Sequence, residues 1–245
     1  MNSQTAKQVG LLAVFVALLA LLGWGINHFG SSEAAQNANA SKPAPKMDAA
    51  KLAAAWPQIA AHAAAPPRGQ TGTRYTLAEF GDFECPQCGK ARPVLEKLLA
   101  QHPAQVNLIF LHRPFPTIHP YAVAAGQASV IAASEGKFWP MYDVLYSHQE
   151  DLEPGFYPQY AAEAGLNAAK FKAAQTAGDG KKAIEDASKY ADSLDVQQTP
   201  TVLLYDSQNK SVTVYIGLQG TKNDDGSVQY PGILSLPDSP LWAAK

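Results

Sequence analysis

The chain has 245 residues, enough for one domain with a sizeable core beyond any targeting segment. Its 19 basic and 21 acidic residues leave a formal net charge of −2, so there is no basic footprint for nucleic acid. With 2 cysteines in the whole chain, a disulfide framework is excluded, and their chemistry must be local.

Residues 9–26, VGLLAVFVALLALLGWGI, carry no charge. A membrane-spanning helix needs about 20 mostly apolar residues, and the apolar core of a cleaved signal about 7–15. The run therefore suits a single-pass anchor over residues 1–29. A signal peptide cut near NANA, residues 37–40, is the alternative. Lys7 precedes the run and the first formal charge after it is Glu33. The N-terminus is thus expected in the cytoplasm and the body of the chain outside it, in the periplasm or an equivalent compartment where dithiols can be oxidised. Residues 30–69 read as a linker, rich in Ser, Ala, Asn and Pro to residue 46. Its second half is Ala-rich with helical spacing (Leu52, Ala55, Trp56, Ile59) and is stopped by PPRG.

Residues 70–220 carry the mixed periods of one α/β domain, with residues 221–245 as a tail. RYTLAEF (74–80) is a strand candidate leading directly to the cysteines. Residues 86–99 read as a helix with Val94, Leu95, Leu98 and Leu99 on one face and Pro86 at its first position. VNLIFL (106–111) is a short apolar run between Pro103 and Pro114, hence a buried strand. Only helical patterns follow to residue 190, broken at EPGFYP and AGDG. TVLLYD (201–206) and SVTVYIG (211–217) close the domain as a hairpin. The sum is a central sheet with one crossover and a helical insertion over about 119–190.

The two cysteines form a CxxC at the entrance of the first domain helix. A structural zinc site would need two further ligands, and the six histidines show no H-x₃₋₅-H spacing. A staple across two residues closes too small a loop to stabilise much. A dithiol that cycles between redox states fits the pattern best. A cysteine just before a helix faces unsatisfied N–H groups and the positive end of the helix dipole, and both favour thiolate. Cys85 is therefore expected to be the exposed nucleophile, and Cys88, one turn inside, the shielded resolving thiol. Pro86 lacks an N–H, so Gln87 and Cys88 should supply the backbone donors to the Cys85 sulfur. Asp82 and Glu84 flank the site and should oppose the thiolate.

These residues resemble the DsbA-like thiol–disulfide oxidoreductases of the thioredoxin superfamily. The resemblance is carried by EFGDFECPQC with its CPxC, by FPTIHPYAVAAGQAS and ASEGKFWPMYDVLY at the start of the insertion, and by VQQTPTVLLYD. It covers about residues 74–217. It implies a thioredoxin-like α/β fold, a kinking proline at Pro93, a buried acid at Glu79 that relays protons with Cys88, and a cis-proline loop at Thr199–Pro200 that holds a client by main-chain pairing. It also implies an enzyme without a cofactor that donates the Cys85–Cys88 disulfide to exported cysteine-containing proteins, with a membrane redox partner to restore it. Two features depart from the family. VNLIFL offers no lysine to pair with the acid, and the tail has no clear amphipathic helix for the usual last helix of the fold.

Other readings stand beside this one. The same dithiol could serve a reductase or isomerase. From another class, it could serve a non-catalytic thiol metal carrier or a tethered interaction module. His112 and His119 read as strand-end and loop residues, and Phe83, Phe138, Trp139 and Tyr142 as core or groove wall.

Overall fold

A computed structural model describes residues 46–223 and 225–243. The apolar run at residues 9–26 lies outside them. Among the described residues no helix is long and apolar enough to cross a membrane.

The centre is a four-stranded sheet in the order β2–β1–β3–β4. Its strands are β1 (Tyr75–Gly81), β2 (Val106–His112), β3 (Thr201–Asp206) and β4 (Ser211–Ile216). β1 runs parallel to β2, which helix α3 (Pro86–Gln101) makes possible by crossing between them, and antiparallel to β3. Every residue of β2 is buried, because both faces of the sheet are covered.

Alternation divides the strands between two layers. Tyr75, Leu77, Val106, Leu108, Val202, Leu204 and Tyr215 pack with Ala91, Leu95 and Leu98 of α3. Ala78, Phe80, Ile109, Leu111, Leu203, Val214 and Ile216 face the other way, toward Leu52, Trp56 and Ile59 of the N-terminal segment. That segment is two helices rather than one, α1 (Ala49–Ala54) and α2 (Trp56–Ala61). Pro57 lacks the N–H that a continuous helix needs at that point, so the chain restarts with proline in its first turn. Asp48 caps α1 through the amides of Ala50 and Lys51, and Trp56 stacks on Tyr205 with ring centroids 4.3 Å apart.

The buried stripe of α3 is Cys88, Ala91, Leu95 and Leu98, with Val94 and Leu99 at its partly covered edges. Each fully buried leucine there contributes about 1.5–3 kcal/mol. The insertion comprises α4 (Ala122–Ala133), α5 (Phe138–Ser147), α6 (Tyr157–Glu163), α7 (Ala168–Ala177) and α8 (Lys181–Ser193). Helices α4 to α7 share a third cluster with Phe83, Cys85, Cys88 and Phe110, so the cysteines lie where the insertion meets the sheet.

After β4 the described chain forms a small hairpin, β5 (Gly220–Lys222) and β6 (Val228–Pro231), and two single 3₁₀ turns. No α-helix follows β4 among the described residues. Ile233, Leu236 and Trp242 instead cover the α3 face, with Trp242 edge-on to Tyr75 at 5.3 Å and its Nε1–H donating to the Leu236 carbonyl.

Candidate active site

β1 ends at Gly81 and the chain turns over Asp82–Glu84 into α3. The Cys85 N–H donates to the Asp82 carbonyl, and Cys85 takes extended φ/ψ (−70°, 116°) as the cap residue. Its sulfur thus stands over the open end of the helix. The Cys88 thiol, the Thr199 side chain and the amides of Cys88 and Gln87 all favour its thiolate. Together they outweigh burial and hold the Cys85 thiol down at about 6, with the Cys88 thiol making the largest contribution. Cys88, fully buried one turn in, is pushed well above the ordinary thiol value, first by burial and then by Cys85 itself. Both sulfurs are free thiols here.

Cys85 is more covered than its place at a helix entrance suggests, with 5% of its surface exposed against none for Cys88. The Thr199 carbonyl stands 3.5 Å from its Sγ, and the Thr199–Pro200 peptide bond is cis. Gln149, just after α5, closes the opposite side. Its Nε2 donates to the carbonyls of Phe83 and Cys85 at 2.7 and 2.9 Å, and its amide occupies the space that a side chain on Gly89 would fill.

The acids that flank the site are hydrogen-bonded elsewhere. The Asp82 carboxylate, fully buried, accepts from the amides of Glu84 and Phe115 and from the ring of His119. Glu84 accepts from the Tyr121 amide. Both carboxylates are spent on pinning residues 115–121 beside the active-site turn.

Beneath Cys88 lies Glu79. It shares the parity of Tyr75 and Leu77, so it points to the α3 side of the sheet, and it is fully buried. Its register partner on β2 is Phe110, not a cation. Tyr142 from α5 donates to Oε2 at 3.1 Å, while Oε1 has no hydrogen-bond partner among the described residues. Burial dominates and raises its pKa to about 8, so it carries a proton at neutral pH. His112 is buried among Phe83, Phe110 and Phe138, and burial drives its pKa to about 3, leaving a neutral ring. Phe83 and Phe138 are core, as their pattern suggested, but Tyr142 adds a hydroxyl to the acid. Among the described residues no group of three or more His, Cys, Asp or Glu side chains is placed to hold a metal ion.

The structure thus brings together Cys85, Cys88, Pro86, Gln87, Glu79, Thr199 and Pro200, from three separated stretches of chain. Sequence reading passed over Gln149 and took Tyr142 only as core or groove wall and His119 only as a loop residue. His119 left one faint signal, a histidine in the proline-rich stretch between β2 and the insertion.

Comparison with known proteins places the fold. The profile of the family described as thioredoxin matches residues 63–215, more than half of the chain. A Na(+)/H(+) antiporter NhaA 3 of Salinispora tropica is 36% identical over 134 residues, covering 55% of this chain and 20% of that protein. The chain spans about a fifth of the length of the first such relatives. Among solved structures, the catalytic domain of Proteus mirabilis ScsC superposes with a TM-score of 0.57 at 21% identity, covering 80% of this chain and 99% of that one. Oxidised BdbD from Bacillus subtilis gives a TM-score of 0.53 at 22% identity, covering 59% and 83%. These structures share its fold.

Proposed function

We propose that this chain, which belongs to the thioredoxin family, is a DsbA-like extracytoplasmic thiol–disulfide oxidoreductase that donates its disulfide to exported proteins. The observation that carries the reading is the contrast between the two thiols. Cys85 sits at about 6 and Cys88 well above the ordinary value, one helical turn apart over a protonated Glu79.

The oxidised protein is attacked at Cys85 Sγ by a client thiolate. A client–Cys85 disulfide forms, the Cys85–Cys88 bond breaks, and Cys88 leaves with the electron pair. Its high pKa calls for a proton, and Glu79, protonated at neutral pH, supplies it. A second client thiolate then attacks the client sulfur of the mixed disulfide. Cys85 leaves as a thiolate that needs no proton at neutral pH. The client has lost two electrons, which rest on the dithiol until a membrane redox partner removes them. The backbone beside Thr199 and Pro200, next to Cys85 Sγ, is where an extended client segment would pair. The charge-free run at residues 9–26 would tether the enzyme to the inner membrane with this domain outside the cytoplasm.

A reductase or isomerase would use the same dithiol, but a stabilised thiolate favours the reduced protein and so a donated disulfide. Mixing the pre-oxidised protein with a dithiol peptide tests the direction. The expected result is peptide disulfide in step with protein dithiol, faster than with glutathione disulfide alone. No transfer above that background would overturn the reading.

A further inference from the structure

The segment between β2 and α4 is bound to the active-site turn by one buried carboxylate. Asp82 Oδ2 receives the Phe115 N–H at 3.0 Å and His119 Nδ1–H at 2.8 Å, and Oδ1 receives the Glu84 N–H at 2.9 Å. The Asp82 side chain has no exposed surface and that of His119 has 15%. The carboxylate therefore fixes the ring and its tautomer, leaving Nε2 as the position for a second proton, within reach of solvent. The main-chain carbonyl of the same Asp82 receives the N–H of Cys85, so one residue holds both the ring and the nucleophile.

We propose that His119 is a positioning residue for the redox step, an imidazolium held by Asp82 that stabilises the Cys85 thiolate as leaving group and takes up a proton when the disulfide is reduced. The inference deepens the oxidoreductase reading and rests on it. Asp82 is the ring's hydrogen-bond partner, and Cys85 and Glu84 are the other charged groups that act on it. The Asp82 hydrogen bond raises the His119 pKa most, and the negative charges of Cys85 and Glu84 raise it further. Arg113, on the same segment, is turned away to Asp192 and the Val196 carbonyl. Interaction between two charges is mutual: a thiolate that favours the imidazolium is favoured by it to the same extent. In the disulfide Cys85 has no charge, so His119 should hold its proton less tightly when the protein is oxidised.

The test is an NMR titration of His119 in the oxidised and reduced full-length protein, with the Cys85 thiolate titrated in wild type, His119→Gln and His119→Lys. The expected result is a higher His119 pKa in the reduced protein. His119→Gln should raise the Cys85 pKa by about 0.5–1 unit, a partly solvent-screened cation effect. His119→Lys, which keeps a cation against Asp82, should return most of that shift. A His119 pKa equal in the two redox states, or a Cys85 pKa unmoved in His119→Gln, overturns the proposal; a lower melting temperature alone would mark a purely structural contact. Both titrations are independent of disulfide donation, so a wild type that fails to oxidise the dithiol peptide would remove the oxidase reading and leave the coupling to be decided separately.

Discussion

Cys85 and Cys88 are three residues apart on one helix, yet the surroundings of the mouth and the floor of the site act on them in opposite directions. At the mouth, the Cys88 thiol, the Thr199 side chain and the backbone amides of the first turn favour the Cys85 thiolate, in that order, and the nearby carboxylates are turned onto the 115–121 segment. At the floor, Cys88 meets Glu79, Tyr142 and Tyr146, a set that resists any further negative charge. The same thiol chemistry becomes a leaving group in one place and a proton acceptor in the other. Position along the helix sets which partners each sulfur meets, because backbone donors are unsatisfied only in its first turn.

The largest effect should come from removing one sulfur at a time. Cys85→Ser should abolish peptide oxidation and trap no client. Cys88→Ser should leave Cys85 able to form mixed disulfides that cannot resolve internally, seen as non-reducing gel adducts. Equal trapping by the two variants would erase the distinction between mouth and floor.

A smaller effect isolates the floor. The folded protein holds the Glu79 proton up to about pH 8, whereas the unfolded chain releases it near the ordinary carboxylate value of about 4.5. The raised pKa thus contributes stability that is fully present below about pH 4.5 and lost as pH rises through about 8. Glu79→Gln keeps an acceptor for Tyr142 without the charge. It should stabilise the reduced protein by up to about 5 kcal/mol above pH 8 and by little below pH 4.5, as read from denaturation midpoints across pH. A difference that does not change with pH would contradict the buried-acid account.

Much of this was legible in the sequence, for physical reasons. β1 to β4 announce themselves because short apolar runs bounded by proline or turn residues have few other uses. The CxxC is legible because two cysteines at a helix entrance have few structural roles. The site's sides were not. Gln149, Tyr142 and His119 reach it from the insertion and its approach, and no local period marks a contact made across more than 30 residues. Asp82 and Glu84 misled because charge is visible in a sequence and hydrogen-bond partners are not. The packed tail was hidden because single 3₁₀ turns are too short to show a repeat.

The central claim is that the mouth of the site stabilises a thiolate at Cys85, and one titration tests it most directly. The Cys85 pKa should be followed by thiolate absorbance against pH in the reduced protein, with the Cys88 thiol in place as a donor. The account predicts a single low transition near 6 with Cys88 still protonated well above it. A first transition near the free-thiol value of about 8.5 would contradict it.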